Sequence, residues 1–139
     1  MSVKIAGVSI EEFLGKNWRE IANINQLGNR GQLRIREYLK EKNLSLPKIG
    51  EEELAQMKVE EVAHLCKCAT GIKPTITGKG LEKIGVKSFS DLENEYNNAI
   101  KYFETDDLEA LDYKVFKGVN FSKRQLLGMQ QIVKLSKIL

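Results

Sequence analysis

The side chains with the most chemical potential stand close together. His64-Leu65-Cys66-Lys67-Cys68 runs straight into a glycine-rich stretch, Thr70 to Leu92. Thiolates and imidazole are zinc ligands, but residues two apart on a helix project from different faces, and no second ligand pair occurs elsewhere. Cys66 and Cys68 are therefore expected to be buried free thiols, with no metal and no cofactor. Nor can they close a useful disulfide loop with each other, which fits a reducing, cytoplasmic setting. Gly71 to Gly80 has the superficial look of a phosphate-binding P-loop. Six residues separate Gly71 from Gly78, and Gly80 follows Lys79 where the motif needs Ser or Thr. A single histidine makes no triad, and no Gly-x-Ser-x-Gly elbow is present. Catalysis is not expected.

Binding is a better prospect than chemistry, because the charge is blocked. The formal net charge is only +3. Six basic residues lie between Arg30 and Lys48, against Glu37 and Glu41; five lysines lie between Lys67 and Lys87, against Glu82. The last segment, Lys114 to Leu139, has six basic residues and no acid. Acidic blocks lie between them, at Glu51 to Glu61 and at Asp91 to Asp112. Basic surface attracts nucleic acid or anionic membrane. Acidic helix starts and basic helix ends also follow from the helix dipole, at a few tenths of a kcal/mol each.

The elements that carry these residues read as helical. At 139 residues with 42% apolar content, the chain is expected to form one domain, residues 1–139, able to bury a core. Ser9-Ile10-Glu11-Glu12 has the form of a capping box, opening a helix with Phe13, Leu14, Trp18 and Ile21 on one face and a break near Gly15 or Asn17. After a turn at Gln26 to Asn29, a helix is predicted from Arg30 to Lys42, ended by Asn43 and Leu46-Pro47. A short acidic helix follows from Glu51 to Met57, then one from Lys58 to Ala69. Ser90 to Glu93 and Ser122 to Gln125 read as further capping boxes, opening a helix striped by Leu92, Tyr96, Ala99, Ile100 and Phe103, and a final one to Leu139. In that last helix Lys123, Gln130, Lys134 and Lys137 form one narrow strip on an otherwise apolar surface, predicted to be a thin basic edge. No stretch alternates long enough for a sheet. The fold class expected is all-α: a compact bundle of six to eight short helices joined by Gly-containing turns.

The Thr70–Leu92 stretch resembles a helix-hairpin-helix unit, a small DNA-binding module. Gly71, Ile72 and Pro74 match its turn; Leu81, Gly85, Val86, Lys87 and Ser88 match the helix that follows and its exit. Lys73 stands at the second glycine of the turn, one residue too many precedes Leu81, and Gly78 and Gly80 fall inside the second helix. The resemblance implies backbone N–H groups facing phosphate oxygens. Phe116 and Phe121, flanked by lysines, are candidate stacking platforms, with core packing as the plainer role.

The expected function is non-catalytic binding of nucleic acid, mainly through phosphates and with little sequence specificity. Arg30, Arg34, Lys73, Lys79, Lys83, Lys123 and Arg124 are the expected contacts. The alternative is a protein–protein module or self-associating subunit, using the blocked charge and the apolar C-terminal helix. No apolar run approaches the roughly 20 residues of a membrane span, and no secretory leader opens the chain, so no membrane partner is expected.

Overall fold

A computed structural model of the chain describes residues 4–25, 27–75 and 78–139, without the side chain of Lys79. Gln26 of the predicted turn and Ile76 of the glycine-rich stretch lie outside the described residues. Among those described, the protein is built from eight α-helices, two 3-10 segments and one small hairpin. It is an all-α fold.

The hairpin is the one departure from the helical expectation. Strands β1 (Lys4–Ile5) and β2 (Val8–Ser9) pair antiparallel. Ala6 and Gly7 between them both have positive φ, +53° and +79°, as a two-residue hairpin turn requires. Ser9 is thus in a strand and does not cap a helix. Helix α1 (Glu11–Leu14) starts after Ile10 without a side-chain cap, and the Ser9 hydroxyl instead donates to the Glu11 carboxylate. The predicted break falls at Gly15–Asn17. Asn17 and Glu20 then form a capping box for α2 (Trp18–Ala22). Phe13, Trp18 and Ile21 are buried.

Helix α3 (Gly28–Lys42) buries Gly31, Ile35 and Leu39, which lie one turn apart. Gly31 is needed there. A Cβ would sit 2.5 Å from Leu27 Cδ1 and 3.3 Å from Ile5 Cγ2, where the hairpin packs on the helix. Asn43 ends α3 in the left-handed region, at φ +53°. An extended segment leads to α4 (Glu51–Gln56), whose first turn holds three glutamates.

Helix α5 (Val59–Thr70) is the centre of the molecule. It packs against α2, α3, the short α6 (Gly78–Glu82), α7 (Phe89–Phe103) and α8 (Lys123–Ser136). Being surrounded explains why Val59, Val62, Leu65, Cys66, Cys68 and Ala69 are all buried. Backbone bonds Val59 N–H to Lys87 C=O at 3.3 Å and Phe89 N–H to Met57 C=O at 2.8 Å tie the start of α5 to the start of α7. The glycine-rich stretch is therefore the return limb of a closed excursion.

The cap of α7 is Ser88, two residues before the serine that the sequence pattern points to. Its hydroxyl accepts from Asp91 N–H at 3.1 Å, and the Asp91 carboxylate accepts from the Ser88 and Lys87 N–H groups. These backbone donors, Ser88 first, hold the Asp91 carboxyl below its usual range. Ser88→Ala is expected to cost about 1 kcal/mol, whereas Ser90→Ala, inside the helix, stays within about 0.5 kcal/mol. Urea melts of the two variants distinguish them. If they melt alike, Ser88 is not the cap.

Two 3-10 segments, Leu108–Ala110 and Tyr113–Gly118, follow α7. The expected Ser122–Gln125 box opens α8. The 3-10 region is fastened to α8 by side chains. Gln130 Nε2 donates to Tyr96 Oη and to Asp106 C=O, both at 2.7 Å. Lys123 Nζ donates to Glu109 C=O and Leu111 C=O, each at 2.7 Å.

Candidate functional site

The basic residues singled out from the sequence come from separate segments, and one of them is buried. Arg30 and Arg34 are exposed on α3, one turn apart, with Glu37 and Glu41 following them along the helix. Arg36 on the same helix points to the end of α5, and at about 100° per residue Arg34 lies nearly opposite it. Lys73 is exposed in the loop after α5, Lys83 in the turn after α6, and Arg124 on the first turn of α8. The Lys79 side chain lies outside the described residues. Lys123 departs from the expected basic edge: it is only 8% exposed. Its ammonium serves two backbone carbonyls and sits 5.1 Å from the Tyr113 ring centroid. A helical wheel gives the angle of Lys123 but not the 3-10 segment that covers it.

A different set of cations converges. Arg36 and Lys40 are one turn apart on the flank of α3 that faces the C-terminal end of α5. After Asn43 the chain turns back, Leu46 is buried, and Lys48 reaches the end of α8, donating to the Lys137 carbonyl. Ile49 N–H bonds to Leu139 C=O at 2.6 Å beside it. These elements enclose a cleft of about 230 Å³. Its wall is apolar: Trp18, Leu39, Leu46 and Ala69 are buried, while Leu44 and Ile138 are about half exposed. Arg36, Lys40, Lys48 and Ser45 supply its polar groups, and no carboxylate is among the described residues that line it.

Arg36 also has a structural duty. One guanidinium N–H donates to Cys68 C=O at 2.8 Å, one of the last four carbonyls of α5, which have no partner within the helix. A cation there also complements the negative end of the helix dipole. Gly71, at φ +77°, ends α5, and a Cβ on it would come within 3.1 Å of the Arg36 guanidinium. A guanidinium has five N–H donors, so this bond leaves most of its hydrogen-bonding capacity for another acceptor.

A larger cleft, about 490 Å³, lies between α4, α7 and the end of α8. Glu51 and Glu93 line it along with Lys48 and Lys137. Burial, and secondarily Glu51, raises the Glu93 carboxyl above its usual range. Its mixed charge selects for no anion. Away from these clefts, Arg19 pairs with Glu53 at 2.6 Å and Glu61 at 2.8 Å.

Cys66 and Cys68 are both buried free thiols. Cys68 Sγ is 3.7 Å from His64 Nε2, and among the described residues no third ligand-type side chain joins them. Phe116 and Phe121 are core residues, at 5% and 6% exposure. The exposed aromatics are Tyr102 and Tyr113. Tyr113 stands beside Lys114 in the sequence, but nothing in its spacing separates it from Phe116.

Comparison with family models, curated proteins and solved structures finds no match to this chain. No helix among the described residues is long and apolar enough to cross a membrane.

Proposed function

We propose that the protein is a small, non-catalytic nucleic-acid-binding protein that engages phosphates with little sequence specificity. The observation that carries this reading is the cleft in which Arg36, Lys40 and Lys48 gather with no lining carboxylate. Three cations drawn from two segments create a local positive field that the net charge of +3 conceals. The helix-hairpin-helix resemblance of the glycine-rich stretch adds a second source of phosphate contacts. Gly71 ends α5 next to Arg36, so the turn and the cleft adjoin. Lys73 extends the basic surface along that turn. Arg30, Arg34 and Arg124 are peripheral contacts in this reading, and Lys123 drops out.

The alternative, a protein–protein module, draws on the blocked charge and on an apolar final helix, and the second of these is weakened. That apolarity is used internally: Leu126, Met129 and Ile132 are fully buried as α8 packs on α5, α7 and the 3-10 region.

Retention of labelled duplex and single-stranded DNA at low ionic strength tests the proposal. Affinity is expected to fall linearly on a log–log plot against salt. Lys40→Gln with Lys48→Gln should weaken binding about tenfold and reduce the salt slope by about 2, one for each phosphate left without its cation. Arg30→Gln with Arg34→Gln should have the smaller effect. Absence of salt-sensitive binding overturns the proposal.

A further inference from the structure

We infer that the cleft seats one unpaired base of a single-stranded nucleic acid, with the flanking phosphates on its cationic rim. This rests on the nucleic-acid reading above and specifies what the site takes. Phosphate attraction alone needs only surface lysines, yet here the cations surround an apolar recess. Leu44 and Ile138 are 46% and 49% exposed and come from segments far apart in sequence. Both line the recess together with the buried Trp18. An isolated phosphate gains nothing from such a lining, and a duplex keeps its bases stacked out of reach. A single strand offers both parts, an apolar ring face and adjacent negative charge, and splayed bases are commonly held between apolar side chains or against a guanidinium plane.

Size agrees with one base. At about 230 Å³ the recess falls below the roughly 300 Å³ at which sites for drug-sized ligands begin. It admits a ring system and leaves the sugar and phosphates at the mouth, beside Arg36, Lys40 and Lys48. Arg36, held by its bond to Cys68 C=O, is pre-positioned for that contact and loses little freedom on binding.

Trp18, the only tryptophan in the chain, lines this recess and reports its occupancy. The full chain would be titrated with oligothymidylate, with an abasic strand of equal length and with a duplex of equal length, following anisotropy and Trp18 emission together. Oligothymidylate is expected to bind at least about fivefold tighter than the abasic strand and to be alone in changing Trp18 emission. Ile138→Ala and Leu44→Ala should each narrow that gap without altering affinity for the abasic strand, while Lys40→Gln weakens both. Equal affinity for the two strands with unchanged Trp18 emission overturns base seating and leaves phosphate binding standing. No salt-sensitive binding of any of the three overturns both.

Discussion

Lys123→Met is expected to lower the stability of the protein by about 3 kcal/mol and its melting temperature by about 10 °C. Methionine keeps the length of the side chain and removes the ammonium. Two carbonyls, of Glu109 and Leu111, then lose charge-assisted donors at 2.7 Å, each bond worth about 1.5–3 kcal/mol. Part of that loss is recovered, because a buried ammonium no longer has to be desolvated. Arg124→Met is the control. Arg124 is exposed on the same first turn of α8, and its loss should stay within about 0.5 kcal/mol. Calorimetry of the two variants reads the difference directly. Equal melting temperatures would mean that Lys123 is a surface cation after all.

The second large effect is alkaline. Burial, with Cys68 as the lesser cause, pushes the Cys66 thiol from 9.0 up to about 12. Above pH 9 the unfolded chain releases this proton while the folded chain keeps it. Stability from the neutral thiol is therefore complete below about pH 9 and is lost as pH rises toward about 12. At 1.36 kcal/mol per pH unit, the loss reaches about 3 kcal/mol by about pH 11. Burial raises Cys68 too, opposed by Lys67 and Arg36. Urea denaturation of the parent and of Cys66→Ala across this range isolates the contribution, since lysines and tyrosines titrate in both. The stability curves should converge as pH rises. Curves that stay parallel would show that Cys66 ionises as readily folded as unfolded.

Local order is legible wherever the deciding contacts lie within one turn of chain. The Ser122–Gln125 box, the break at Gly15–Asn17 and the stop at Asn43 depend on a few neighbouring residues, and each stands where the pattern places it. The cap of α7 is misplaced by the pattern because Ser88 and Ser90 both have an acid three residues on. The choice between them is made by the backbone pairing of Met57 and Val59 with Lys87 and Phe89, which no local pattern contains. Ser9 goes to a hairpin too short to register as alternation. The candidate site is illegible for a stronger reason. Arg36 and Lys40 share a helix flank with Leu33 and Glu37 nearby, Lys48 lies beyond a reversal of the chain, and the recess they surround is closed by residues 18, 69 and 138. Only tertiary packing brings these together, and it spends the most conspicuous lysine of α8 on the backbone of its neighbour.

The junction of Lys48 and Ile49 with the end of α8 has a kinetic consequence. Lys48 and Lys137 are 89 residues apart in sequence, and closing a loop of that length costs about 4 kcal/mol of chain entropy. Helical hairpins such as α7 and α8 close far shorter loops and are favoured to form first. The cleft shares its walls with the long closure and is therefore expected among the last features to form. A chain with all its helices in place, but without that final clasp, would have the three cations and no recess for them to surround.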